Sequence, residues 1–296
     1  MKIFPVTAAV AALLASAFAG ATDNSAEQKQ GGSGNTTYAE QFMPGATGNS
    51  LRQEQDGIYN AADASQRDES DSSIKQVQKG ALNRASALQF GGSGNSSEVH
   101  QAGALNEAVS LQAATKGTRA NVGQRGFNNS AEINQIVGMG NTAVIEQRGL
   151  AHSATVGQTG SFHAEAIVDQ EGSDNDARTA HTGIGHFSST AQRGSFNRAS
   201  TDQENYAQES DIAQSGFANE AAVIQEDWYN RAVVTQDGFF NGATVMQSGA
   251  FGMGGSHLTV ISQSGGLNQA TIIQGGFSST AIVTQSGNGN SVSLVH

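Results

Sequence analysis

The sequence predicts an all-β protein, a β-solenoid built from stacked strand-turn-strand coils. Three observations predict it. A unit of about eleven residues recurs along the chain. Side chains within the unit alternate with a period of two. Glycine falls at a fixed place between units.

The unit is clearest where Asn219-Glu-Ala221-Ala-Val223-Ile-Gln225 is followed by Asn230 to Gln236 and then by Asn241 to Gln247. Each reads N-x-A-x-V-x-Q and is joined to the next by four residues, usually x-G-x-x. The closing glutamine carries the register forward to Gln263, Gln274, Gln285 and a final His296. Backward it passes Gln214, Gln203, Gln192, His181 and Gln170, and continues at steps of eleven or twelve residues to Gln41. Two connections are longer, one through Pro44 and one through Gly249, Gly252, Gly254 and Gly255. About 23 units result, covering nearly all of residues 30–296.

Positions 1, 3, 5 and 7 of the unit share a face, because successive strand side chains point to opposite sides. That face holds Asn, Ala, Val or Ile, and Gln. Strand charges such as Arg84, Glu107, Glu132, Glu165, Arg198, Asp211, Glu220 and Arg231 fall on the other. The odd face is therefore buried and the even face wet. A helix is excluded, since these residues would wrap around all its sides. Turn glycines at Gly126, Gly149, Gly194, Gly216, Gly238 and Gly265 permit a positive φ at each reversal. Large apolar linker residues (Leu82, Leu105, Phe127, Leu150, Phe196, Phe217, Trp228, Phe240 and Phe277) are expected to stack along the turns.

One unit cannot bury its inner face alone. Two facing units make a coil of about 22 residues, and about 23 units make roughly eleven coils stacked at ~4.8 Å. Buried Asn and Gln are costly when unpaired. In a stack, each amide donates to one neighbour and accepts from the other. The residues expected to form such ladders are Asn129, Gln135, Asn141, Gln147, Asn197, Gln203, Asn219 and Gln225. Asn230, Gln236, Asn241, Gln247, Asn268, Gln274, Gln285 and Asn290 continue them.

Composition agrees. Among 296 residues there are 37 Gly, 2 Pro and no Cys, with 6% aromatic and 14% charged. Such a chain cannot fill a wide core, and a disulfide framework, thiolate metal site or cysteine nucleophile is excluded. The net charge of −11 gives no basic surface for nucleic acid. At the N-terminus, Lys2, the apolar run Ile3 to Phe18 and the small-x-small sequence Ala17-Phe18-Ala19 read as a secretory signal peptide, residues 1–19. No later segment approaches a membrane span.

These units resemble the curlin repeat, the repeat of the subunits of curli, the secreted amyloid fibres of bacterial biofilms. The resemblance implies a β-solenoid that becomes cross-β on assembly. It implies a secreted structural subunit, forming extracellular fibres (a pilus-like cell-surface structure) for biofilm matrix and adhesion. The implied partners are further copies of the chain, other curlin-like subunits, a curli-type outer-membrane secretion pore and periplasmic helpers. On this reading residues 20–29 are a short secretion or targeting segment. Alternatives are a minor surface-attached nucleator of the same fibre and a soluble monomeric adhesin solenoid. The chain departs from the family in its number of repeats and in its ladder. His152, His186 and His257 replace Asn, His181 and His296 replace Gln, Gln208 replaces Asn, and Ala164 breaks the pattern.

After Asp237 the chain has no Asp, Glu, Lys or Arg. Uncharged segments of high β-propensity are strong aggregation templates, so these last units are expected to nucleate assembly. No enzyme, cofactor or metal site is expected. The histidines read as amide substitutes in the ladder, kept neutral by burial. The acidic groups Asp68-Glu69, Asp174 with Asp176, and Glu226-Asp227 lack a calcium-loop pattern. Asp202, Glu209 and Asp211 are the nearest approach to a carboxylate constellation.

Overall fold

The computed structural model describes residues 10–15, 23–42, 47–249 and 255–296. Its strands form two parallel sheets. The first has thirteen strands, from Val10–Ala15 to Ser291–Val295, and the second has twelve, from Ser25–Ser33 to Thr280–Asn288. Successive strands alternate between sheets, so each pairs with the strand two places away in sequence. Twelve strands at ~4.8 Å give a stack of about 53 Å. This is the expected β-solenoid.

Alternation of burial along each strand matches the period of two. In Thr142–Leu150, Ala143, Ile145 and Gln147 are buried. Ala and Val or Ile from the two sheets interleave in a narrow core that falls into three clusters, the middle one holding Val99, Val122, Ile133, Ile145 and Val156. Charges stand on the outer faces and pair between coils, as in Lys75–Glu98 at 2.6 Å, Arg198–Asp176 at 3.4 Å and Arg231–Glu209 at 3.3 Å. Such exposed pairs contribute little stability each. They do disfavour a slipped register, in which like charges would be stacked.

The coil length is not uniform. It is 23 residues from Gln55 to Gln170, 22 from Gln170 to Gln236, and 27 across Gln236 to Gln263. The cause is that the two turns of a coil differ. Linkers from the second sheet to the first keep four residues throughout, as in Arg125–Asn128 between Gln124 and Asn129. We call these the constant linkers. Linkers from the first sheet to the second vary. Five residues separate Gln112 from Thr118, whereas four separate His181 from His186. All the twelve-residue steps between Gln55 and Gln170 therefore belong to one edge of the solenoid.

The turn glycines named from sequence all lie in the constant linkers, with φ of +130° at Gly126, +134° at Gly149 and +126° at Gly238. Positive φ is only part of the reason for glycine there. A Cβ on Gly149 would sit 1.9 Å from the carbonyl oxygen of Gly172, one coil on. Stacking at strand spacing thus requires glycine above glycine. The last residue of these linkers is also left-handed but faces open space, so Leu105, Phe196 and Phe240 occupy it.

Linker side chains meet along both edges of the solenoid. Phe196, Phe217 and Phe240 stack on the constant edge, with centroids 5.4 and 5.5 Å apart. Trp228 and Phe277 lie on the variable edge, where Trp228 meets Tyr206 at 6.4 Å. The stack also begins earlier than residue 30. Ser25–Ser33 is already a strand of the second sheet, in register with Ser50–Ile58. Val10–Ala15, inside the expected export signal, lies parallel to Thr36–Gln41 at the start of the first sheet. The cleavage site at Ala17-Phe18-Ala19, Pro44, and Gly252 and Gly254 fall outside the described residues. No described helix is long and apolar enough to cross a membrane.

Two substitutions test this backbone logic by urea denaturation. Gly149→Ala is expected to destabilise the stack by about 2–4 kcal/mol, since its Cβ must displace the next coil. Val137, a β-branched residue at φ +52°, is expected to respond oppositely. Val137→Gly should stabilise by about 0.5–1 kcal/mol through relief of strain.

Candidate functional site: the amide ladders

The inward glutamines form continuous hydrogen-bonded columns. In the second sheet the column runs unbroken from Gln30 through Gln55, Gln78, Gln101, Gln124 and Gln147 to Gln170. It continues through Gln192, Gln214, Gln236 and Gln263 to Gln285. Each Nε2 donates to the Oε1 of the next coil, at 2.8 Å from Gln124 to Gln147 and 2.9 Å from Gln147 to Gln170. The other Nε2 hydrogen crosses the core. Gln147 donates it to the Ser130 carbonyl at 2.9 Å, and Gln236 to the Glu220 carbonyl at 2.9 Å. One side chain therefore ties coil to coil and sheet to sheet. The cross-core bond is not readable from the repeat, because it depends on how two strands sixteen or seventeen residues apart face each other.

In the first sheet the column links Gln41, Gln66, Gln89, Gln112, Gln135 and Gln158, and resumes as Gln203, Gln225, Gln247 and Gln274. His181 interrupts it. Asparagines entering the first sheet form a third column with the opposite donor direction. Asn60, Asn83, Asn106 and Asn129 each donate back to the asparagine before. Asn197, Asn219, Asn241, Asn268 and Asn290 do the same further on.

Asn141 and Asn230 depart from the expectation. They enter the second sheet, and their amides donate to the backbone carbonyls of Ser161 and Glu226, not to another asparagine. On this edge the ladder alternates with a second inward residue inside the five-residue linkers. The pairs are Glu69 with Ser72, Gly92 with Asn95, Thr115 with Thr118, Gly138 with Asn141, and Ser161 with Ala164. Where the linker residue is glycine, the amide fills its space. A Cβ on Gly92 would lie 2.5 Å from Asn95 Nδ2, and one on Gly138 2.5 Å from Asn141 Nδ2. Where the linker residue has a side chain, the ladder residue is small. Ala164 is thus a size exchange with Ser161.

Glu69 is the polar group that the repeat did not single out. It is buried, accepting from Ser72 at 2.7 Å and Asn95 at 3.2 Å, and burial raises its pKa. Gln53 and Gln76 form a further short ladder with Gln28, at a level usually held by Val or Ile.

The buried histidines divide into two kinds. His152 substitutes well for asparagine. Its Nε2 is 3.1 Å from the Arg148 carbonyl, and its Nδ1 accepts from the backbone of Asn175. His257 likewise places Nδ1 2.8 Å from Ser279 Oγ and Nε2 3.1 Å from the Ser248 carbonyl. His181 and His186 each leave Nδ1 without a partner. Burial lowers the pKa of both, that of His181 to about 3. His296 is exposed at the last strand.

The carboxylates weighed for catalysis do not converge. Asp202 is in the first sheet, and Glu209 and Asp211 are in the second. Among the described residues no three His, Cys, Asp or Glu side chains gather as a metal site.

Stacked amide columns, glycine columns and a two-sheet parallel coil define the repeat completely. The curlin associated repeat family matches residues 119–149 and 258–287. These two matched segments support membership of the curlin repeat family. Both matched segments begin at a second-sheet strand, Arg119–Phe127 and Leu258–Gly266, and run through three successive strands, one full coil and most of the next strand. No curated protein matches the chain. The curlin repeat and the solenoid point to a structural protein and fit a curli-like subunit.

Two measurements test the ladder. Gln147→Leu leaves Gln124 Nε2 and Gln170 Oε1 each short of a partner and should cost about 2–4 kcal/mol by urea denaturation. Gln285→Leu, at the last rung, should cost less. Neutral His181 also makes stability depend on pH. Its folded pKa of about 3 lies below the ordinary 6.5. The unfolded chain therefore binds more protons in between, and stability falls as pH drops from 6.5 towards 3. His181→Gln should flatten that part of the curve.

Proposed function

We propose that the chain is a secreted structural subunit that self-assembles end to end into curli-like extracellular amyloid fibres, serving biofilm matrix and surface adhesion. The observation that carries this reading is the polarity of the glutamine columns. Every rung donates towards the C-terminal coil, so a first coil lacks a donor and a last coil retains one. At the N-terminal end, Gln28 Oε1 is buried and unpartnered. At the C-terminal end, the strand Ser291–Val295 is the outermost of its sheet among the described residues. A second copy placed head to tail would extend both sheets and all three ladders without a change of direction. Open strand edges of this kind are hazards that soluble solenoids cover.

Residues 1–19 serve as the export signal on this reading, and the chain crosses the outer membrane unfolded through a curli-type pore with periplasmic helpers. Residues 20–29 are a short targeting segment on the same reading, although Ser25 onward already lies in the strand Ser25–Ser33. Removal of the signal would also take away Val10–Ala15, which lies along Thr36–Gln41. Export and uncovering of the growing edge would then be one event. A nucleator role within the same fibre is favoured by the last units. Ile224, Met246, Ile273 and Val295 form an exposed apolar column there, the last three of them on the stretch without charge after Asp237.

The test starts from residues 20–296 diluted out of denaturant at neutral pH. A lag followed by a rise in thioflavin T fluorescence is expected, with ~4.8 and ~10 Å reflections from the product. The same chain ended at Asp237 should show a longer lag if the uncharged units nucleate. A soluble β-rich monomer that does not grow over days would overturn the fibre reading.

A further inference from the structure

One corner of the solenoid gathers four buried side-chain nitrogen and oxygen atoms without partners. His181 and His186 flank the first of the four-residue variable linkers. Gln203 and Gln208 occupy the same two positions one coil on, with His181 beside Gln203 in the sheet register and Phe187 N donating to the Gln208 carbonyl. All four side chains are buried, none more than 1% exposed. His181 Nδ1, His186 Nδ1, Gln203 Oε1 and Gln208 Oε1 have no partner.

The remaining hydrogen bonds fix which ends are bare. His186 Nε2 is 3.0 Å from the Thr182 carbonyl, which only accepts, so the ring proton is on Nε2 and Nδ1 is a lone pair. His181 Nε2 is 2.9 Å from Ser188 Oγ, which can accept or donate; with the ring proton on Nε2, Nδ1 is a lone pair as well. Gln203 spends its amide hydrogens on the Phe187 carbonyl and Gln225 Oε1, and Gln208 donates to the Asp227 carbonyl. The Thr179 hydroxyl, also unpartnered, has one proton and satisfies one acceptor at most. The second Nε2 hydrogen of Gln208 satisfies one more at most, so with the His181 proton on Nε2 at least two buried lone pairs remain, a costly arrangement if they are left so.

We propose that this corner binds one divalent transition-metal ion, with Cu2+ the best fit, through the two imidazole nitrogens and the two amide oxygens. The ring centroids of His181 and His186 are 5.7 Å apart. Two imidazoles held at ~2.0–2.1 Å from one ion place their centroids about 5–6 Å apart. An N2O2 donor set suits Cu2+ or Ni2+, and Cu2+ binds such donors most tightly. All four donors are neutral and not carboxylate, which disfavours the hard ions Ca2+ and Mg2+. The ion would pin two coils together where the glutamine column of the first sheet is broken. The proposal stands apart from the fibre reading, since it concerns contacts within one chain.

The test refolds residues 20–296 from urea at pH 7 with one equivalent of CuCl2, followed by desalting. Retained copper is expected, with an electron paramagnetic resonance spectrum showing coupling to imidazole nitrogen. The His181→Gln/His186→Asn double variant restores the ladder's own amides, so its circular dichroism should remain β-rich. Its retained copper should fall at least tenfold, and His186→Asn alone should give an intermediate value. Two results would overturn the site. One is no retained copper in the parent chain, which leaves an enclosed water as the donor. The other is equal retention in the double variant, which assigns the copper to exposed His100, His163 or His296.

Discussion

A buried primary amide must find two donors' worth of acceptors and a donor of its own, and this demand governs the whole molecule. A glutamine side chain meets it best when an identical one stands above and another below. That arrangement forces parallel strands, in register, at strand spacing. It also forces the coil to return to the same place each time. The second hydrogen of each amide reaches across to the facing strand, as from Gln147 to Ser130. The same groups therefore set the separation of the two sheets. The core between them is so thin that Ala and Val suffice, which explains how a chain with few large apolar residues folds at all.

Other features follow from this constraint. Glycine columns in the constant linkers exist because the amides hold successive coils close enough for a Cβ at Gly149 to strike the Gly172 carbonyl. Strand charges stand on the outer faces, where ion pairs such as Arg198–Asp176 add specificity of register to a stack that is otherwise nearly identical at every level. Because the pattern is translational, nothing within the repeat itself ends it. The same bonds that join coil to coil are available to join chain to chain.

Irregularity gathers on one edge. The constant linkers keep length, glycine and asparagine together. The variable linkers change length, trade side chains between Ser161 and Ala164, and bury Glu69. Tolerance there has a physical source. An asparagine in this column bonds to backbone carbonyls, so another residue that fills the same space leaves fewer amides unpaired. The exception is the pair His181 and His186, where no exchange supplies the missing donors.

The sequence by itself determined the strand period, the unit, the buried face and the identity of the glutamine rungs. These are local properties, legible because Gln225, Gln236 and Gln247 recur with the same neighbours. It also carried the resemblance to the curlin repeat. Only the tertiary structure decided which units share a sheet, and hence that coils are 23 residues long from Gln55 to Gln170 and 22 from there to Gln236. It separated Asn141 and Asn230 from the true asparagine column, and Trp228 and Phe277 from the aromatic stack. It distinguished His152, whose ring reproduces both hydrogen bonds of an asparagine, from His181 and His186, whose rings do not. The reason is the same in each case. These outcomes depend on what lies one coil away, and a residue's neighbour across 22 or 23 positions is fixed by the closure of the coil, not by the unit that contains it.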